Sequence, residues 1–211
     1  MKKVSLVGGR GYTGKEILKI LLRHPKIEIE SVFSSSKGRE LISIDRENIN
    51  LTYKHYGDGI PKFKNEDAIL LALPNGESKK LMEEIDSEYP EITIIDLSSD
   101  FRFDETWQYR LPELSSPVHS KRISNPGCYA TAMKLMMAPI EKNIEGYANF
   151  FGVSGYSGAG SKLNERNNKD TLKDNVLPYS LVKHLHEKEV NHHSFTKVFF
   201  SPHVGNFFRG I

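Results

Sequence analysis

The sequence predicts an α/β protein: a doubly wound parallel sheet followed by a second, smaller α+β domain. Three observations predict it. Through the first 100 residues, short apolar runs alternate with amphipathic stretches. Two of those runs, residues 68–73 (AILLAL) and 92–97 (ITIIDL), have the near-continuous apolar character of strands buried on both faces. A glycine-rich turn follows the first run directly. Strand, helix, strand, repeated, builds a parallel sheet with right-handed crossovers.

Each element has its own signal. Residues 3–7 are β-rich and end in glycines. Residues 16–23 carry Ile17, Leu18, Ile20, Leu21 and Leu22 as a helical face, and Pro25 stops that helix. Residues 27–33 alternate apolar and polar, as a second strand does. Leu81, Met82, Ile85 and Tyr89 form another helical face between the two buried strands. In such sheets ligands bind beyond the carboxyl ends of the strands. Those ends carry Gly8-Gly9-Arg10-Gly11, Ser34-Ser35-Ser36, Pro74-Asn75-Gly76 and Ser98-Ser99-Asp100, a small and polar rim.

Beyond about residue 128 the pattern changes. Residues 130–142 read as a helix, and 147–153 and 196–200 as strands. Between them residues 161–175 are polar, a functional or mobile loop. The expected division is a nucleotide-binding domain over residues 1–127 and a second domain over 128–211.

Composition narrows the function. There are 29 Lys and Arg against 27 Asp and Glu, a net charge of +2, and the aromatics are not interleaved with a basic run. This argues against a nucleic-acid binder. The single cysteine permits no intrachain disulfide, which fits a reducing compartment. The N-terminus lacks the apolar core of a signal peptide, and nothing approaches the roughly 20 apolar residues of a membrane span. A cytoplasmic location with no membrane partner is expected.

Gly8-x-x-Gly11-x-x-Gly14 sits where the first strand hands over to the first helix. Such a turn needs residues without Cβ, and a helix N-terminus offers N–H groups to a pyrophosphate. Gly8, Gly11, Tyr12, Thr13 and Gly14 are therefore candidate dinucleotide contacts in a Rossmann-type domain. NAD sites usually place an acid at the end of the second strand. Here Ser34, Ser36 and Arg39 stand there instead, which suits a 2′-phosphate and favours NADP(H). Pro74, on the rim, completes this set.

Cys128 follows Asn125-Pro126-Gly127 and precedes a helix-forming stretch. A helix N-terminus stabilises a thiolate, so Cys128 is the candidate nucleophile. A thiolate needs a proton-transfer partner. Among eight histidines, His203 ends an apolar strand at a rim position and is the candidate acid–base. His24 and His55 read as surface residues. His184 with His186, and His192 with His193, lack the companions of a metal site and read as a solvated helix face; no metal is expected.

Taken together, the motifs resemble the N-acetyl-γ-glutamyl-phosphate reductase family, related to the aspartate-semialdehyde dehydrogenases. The matching pieces are GGRGYTGKEILKILLRHP, ALPNG, DLSSDFRF, LPEL, SNPGCYATA, SGYSGAG, HLHEKE and SPHVGNFFRGI, in family order along the whole chain. The resemblance implies NADPH-dependent reduction of an acyl phosphate to an aldehyde through a thioester on Cys128, with His203 managing protons. It implies a homo-oligomer, a dimer or tetramer. It also implies that Ser157 and Gly158 lie near the nicotinamide. The substrate's carboxylate and phosphate call for cationic anchors. Arg102 and Arg209 are the candidates, with Asn125 as a further substrate contact.

The chain departs from that pattern at Asn75, Ala130 and Ser161, where the family commonly has His, Pro and Arg; Lys162 stands one position beyond the last of these. Family chains also continue beyond Arg209-Gly210-Ile211. The second domain is thus expected to be incomplete, to expose strand edges and apolar faces, and to be poorly active or aggregation-prone alone. Rival readings are an aspartate or lysine-pathway semialdehyde dehydrogenase, a non-catalytic nucleotide-binding module, and a structural remnant.

Overall fold

The computed structural model describes residues 1–211 apart from 37, 39, 46 and 57–59. The chain divides into two compact units. The first comprises Met1–Arg110 with Pro117–Asn125, the second Leu111–Ser116 with Pro126–Ile211.

The first unit contains β1 (Lys2–Val7), α1 (Tyr12–Leu22), β2 (Ile27–Ser34), β3 (Leu41–Ile44), β4 (Glu47–His55), β5 (Ala68–Leu71), α2 (Glu77–Glu88), β6 (Thr93–Asp96), β7 (Gln108–Tyr109) and β8 (Arg122–Ser124). The strands form one sheet in the order β3-β4-β2-β1-β5-β6-β8-β7. Neighbours run parallel except the β3–β4 pair. β1 lies between β2 and β5, so the winding reverses there. The crevice beyond its carboxyl end is where such sheets take ligands.

Burial explains the apolar runs. Leu6 and Val7 are both fully buried on opposite faces of β1. Leu6 packs in a cluster with Leu18, Val32 and Ile42, whereas Val7 packs in one with Ile69, Met82 and Ile85. A strand covered on both sides cannot alternate with polar residues. On α1, helical spacing turns Gly14, Leu18 and Leu21 inward. Ile20 and Leu22, expected on the same face, are exposed.

The β3–β4 hairpin was not legible in the sequence. It widens the sheet by an antiparallel pair whose Ile49, Leu51 and Tyr53 pack toward the α1 side. Ile42 and Ile44 of β3 join the same cluster, and apart from exposed Leu41 the remaining positions are polar.

The second unit contains α3 (Cys128–Met137), β9 (Tyr147–Gly155), α4 (Lys169–Leu172), β10 (Val176–Pro178), α5 (Leu185–His193) and β11 (Lys197–Gly205). Its sheet has the order β10-β11-β9, with β11 parallel to β9 and antiparallel to β10. α3 and α5 cover one face through Tyr129, Met133, Met137, Val190, Val198 and Phe200. The opposite face carries exposed Tyr147, Phe151 and Phe199.

One expectation is corrected here, and one of two open readings is narrowed. The helix expected to reach residue 142 ends at Met137, because Pro139 cannot continue it, and a 3-10 turn at Glu141–Asn143 follows. The polar stretch 161–175 is built rather than loose. Asn164 and Asn167 form a reciprocal capping box around a 3-10 turn, Asn168 caps α4, and Leu172 is fully buried.

Candidate active site

The glycine turn of the first unit is shaped by close backbone approach. Gly8 has φ +90°, and a Cβ there would lie 2.3 Å from the carbonyl oxygen of Ala72. A Cβ on Gly14 would lie 2.4 Å from the oxygen of Gly8, so α1 rests directly on the turn. Gly11 is the N-cap of α1 and brings no side-chain acceptor to the first turn. Tyr12 and Thr13 open the helix at the surface. The start of α2 is different. Asp100 accepts from the backbone N–H of Gly76 at 2.6 Å and of Lys79 at 3.0 Å, so a carboxylate already occupies it. Between these two helices, α1 keeps its N-terminal field for an outside anion, as a dinucleotide pyrophosphate requires. The residues present fit such a group.

At the end of β2, Ser34 is buried and its hydroxyl accepts from the N–H of Ser36, which is itself exposed. Arg39 lies outside the described residues. Arg10, not singled out from the sequence, lies 4.2 Å over the Tyr53 ring and pairs with Glu40, whose carboxyl it holds below the usual range. A cation between two glycines of a phosphate-binding turn was the available signal. Pro74 lies exposed after β5, its carbonyl accepting from Glu77.

Arg102 departs from expectation. The candidate substrate anchor is buried. Its Nε donates to the carbonyl of Asn125 and one terminal nitrogen to that of Leu97, both at 3.0 Å. Its place is that of a brace for the turn leading to Cys128, with the N–H of Asn125 also tied to the carbonyl of Asp96 at 2.8 Å. Asp96 is fully buried. Desolvation pushes its carboxyl up, against the hydrogen bond that Ser98 donates at 2.6 Å.

In the second unit Cys128 is exposed and is the first residue of α3, with Gly127 as N-cap. The N–H of Gly127 donates to Oε1 of Glu189 at 2.8 Å, and Glu189 is fully buried on α5. Tyr129, also buried, donates from its hydroxyl to the main-chain carbonyl of His203 at 2.7 Å. Its ring lies over Gly152, where a Cβ would meet it at 2.6 Å.

His184 and His186 are placed differently from the reading above, and His203 lies near the end of β11. Side chains alternate along β11, and Phe200 faces α3. His203 therefore projects from the other face. Its ring lies 4.1 Å from that of exposed Phe151, and its Nδ1 is 3.1 Å from the carbonyl of Ser201. His184 and His186, read as a solvated helix face, are half-buried against the residue that follows Cys128. Their rings lie 6.3 and 6.0 Å from the Tyr129 ring and 5.0 Å from each other. His184 caps α5, its Nδ1 accepting from the N–H of His186 at 3.1 Å. Burial, helped by Arg166, pushes the His184 imidazole down to about 4. Burial also pushes Tyr179 well above the ordinary phenol range. The missed signal was the Tyr179, His184, His186 spacing, which surrounds one ring only once the strand and helix are folded.

Ser157 and Gly158 lie in a 3-10 turn docked on the last residues of the chain. The N–H of Ser157 donates to Phe208 at 2.8 Å and that of Gly155 to Gly210 at 2.9 Å. A Cβ on Gly155 would lie 2.6 Å from the backbone nitrogen of Arg209, which brings the Arg209 backbone close against this segment.

Comparison with known proteins agrees with both units. Residues 3–122 match the family model described as semialdehyde dehydrogenase, NAD binding domain, and residues 128–211 the one described as semialdehyde dehydrogenase, dimerisation domain. An N-acetyl-γ-glutamyl-phosphate reductase of Xanthomonas euvesicatoria is 42% identical over 214 residues, covering 100% of this chain and 68% of its own length. The protein of Candida albicans named "Protein ARG5,6, mitochondrial" is 42% identical over 219 residues, 100% of this chain and 26% of its own. Among solved structures, aspartate semialdehyde dehydrogenase II of Vibrio cholerae superposes with a TM-score of 0.76 at 15% identity, covering 99% of this chain and 71% of that one. The aspartate semialdehyde dehydrogenase of Candida albicans, solved with NADP, gives 0.66 at 13% identity, covering 99% and 68%. No helix among the described residues is long and apolar enough to cross a membrane.

Proposed function

Because the chain belongs to the N-acetyl-γ-glutamyl-phosphate reductase family of semialdehyde dehydrogenases, we propose that it reduces N-acetyl-γ-glutamyl phosphate to N-acetylglutamate semialdehyde and phosphate. The observation that carries this reading is an exposed thiol at the first position of α3. There the helix field favours the thiolate.

The Cys128 thiolate attacks the acyl carbon, the bond to the phosphate oxygen breaks, and inorganic phosphate leaves with the electron pair. The acyl group is then held on sulfur as a thioester, which splits a hard reduction into two easier steps. When bound, NADPH supplies the hydride that brings this carbon to the aldehyde level. Collapse of the resulting hemithioacetal expels the Cys128 sulfur and needs a proton moved from oxygen. The N–H groups at the start of α3 are suited to the developing oxyanion. For the proton, the half-buried His184–His186 pair beside Tyr129 is favoured over His203, whose ring occupies the far face of β11.

In this reading residues 1–127 hold NADP(H) and residues 128–211 carry the nucleophile. Gly8, Gly11, Tyr12, Thr13 and Gly14 receive the pyrophosphate, with Pro74 beside them. Ser34, Ser36, Arg39 and Arg10 supply the 2′-phosphate site, and Ser157 and Gly158 the nicotinamide end. Asn125 and Arg209 meet the substrate, and Arg102 acts by fixing the turn at Asn125. The exposed Tyr147, Phe151 and Phe199 face supports self-association as a dimer or tetramer, and the location is cytoplasmic.

The deciding experiment is phosphate-dependent reduction of NADP with N-acetylglutamate semialdehyde and with aspartate semialdehyde. Turnover of the first, absent in Cys128→Ser, is expected. Preference for the second would replace the substrate assignment.

A further inference from the structure

Glu189 is fully buried, yet its carboxylate makes a hydrogen bond that a neutral amide could make as well. Burying a charge is costly unless something nearby compensates it. The positive end of α3 lies at it, and the field of the Lys134 ammonium, which donates to the His193 carbonyl at 2.5 Å, also favours it. Lys134 is itself pushed down by burial, against the fields of Glu141 and Glu189. The bond falls on Gly127, the residue before Cys128. On the other side of Cys128, Tyr129 is tied to the His203 carbonyl. The nucleophile thus sits between two anchored neighbours, one of them held by a buried carboxylate.

We propose that Glu189 is a positioning residue for Cys128, holding it through Gly127 while its charge sets how readily the thiol ionises. This rests on the reading of Cys128 as nucleophile. Glu189 and Cys128 draw on the same helix field, so the carboxylate tempers the thiolate that the helix start alone would give. The other titratable or charged groups packed around this corner are Lys134 on α3, Glu141 in the following turn, Tyr129, Tyr179, Arg166, and His184, His186 and Glu187 on α5.

The test is the pH dependence of iodoacetamide alkylation of Cys128 in the 211-residue chain, with steady-state kinetics alongside. Glu189→Gln keeps an acceptor for Gly127 but removes the charge. It is expected to move the alkylation midpoint down by about one pH unit. Glu189→Asp keeps the charge but shortens the reach. It is expected to leave the midpoint in place while kcat falls about tenfold with KM little changed. Lys134→Gln removes the cation whose field offsets Glu189 and shifts the midpoint upward, a second reading should Glu189→Gln not fold. A midpoint unmoved in both Gln variants would overturn the proposal. Retained turnover in Cys128→Ser would instead remove the nucleophile reading beneath it.

Discussion

The hydroxyl of Tyr129 donates to the main-chain carbonyl of His203 across 2.7 Å, joining the first turn of α3 to β11. The contact is specific because a glycine at position 152 leaves room for the ring. Tyr129→Phe keeps the ring and loses the donor, leaving a carbonyl short of a partner. We expect a loss of about 1–2 kcal/mol in urea unfolding, with turnover reduced. Unchanged stability would mean that water satisfies the carbonyl.

Gly14→Ala tests the phosphate turn. Its Cβ would need the space held by the Gly8 oxygen and the Gly9 backbone, so either α1 or the turn must shift. Binding of NADPH, followed by quenching of protein fluorescence, should weaken at least about tenfold. Wild-type affinity would show that the turn is not the pyrophosphate seat.

The histidine assignment is decided by paired variants. His186→Asn is expected to cut kcat by about 10²-fold or more and to alter the pH–rate profile. His203→Asn, altering a ring on the opposite face, should leave the profile's shape intact. The reverse pattern would restore His203 as the acid–base.

His184 makes stability pH-dependent. Its folded pKa, about 4, lies below the unfolded value of 6.5. The contribution is complete above pH 6.5 and is lost as pH falls toward 4, where the unfolded chain takes a proton that the folded one refuses. After discounting for partial exposure, roughly 1–2 kcal/mol is at stake. His184→Asn keeps the cap of α5 and should flatten the difference between urea midpoints at pH 7 and pH 5. An equally steep fall in the variant would place the effect elsewhere.

The sheet of the first unit was legible because strands covered on both faces and amphipathic helices are written in local pattern. Leu6 and Val7 announce a central strand, and Leu18 and Leu21 an inward stripe. The β3–β4 hairpin was not, because its inward Ile42, Ile44, Ile49, Leu51 and Tyr53 are interleaved with polar residues over two short strands and form no continuous apolar run. Cys128 was legible because Asn-Pro-Gly before a helix former fixes a helix start. The setting of the histidines was not, since it depends on which face of β11 each residue takes and on how α5 lies across that strand. Neither is a property of neighbouring residues. Arg102 shows the same limit: the sequence supplies a guanidinium near the turn, but only folding reveals that its donors go to the carbonyls of Leu97 and Asn125.

The carboxylate of Asp100 at the start of α2 has a consequence for a cell rich in free phosphate. Two helices of one sheet open toward the same rim, and each could have collected stray polyanions. One is permanently plugged by a group that diffusion cannot remove. Competition among small anions is thereby confined to α1, where a ligand that also grips elsewhere outlasts one that does not.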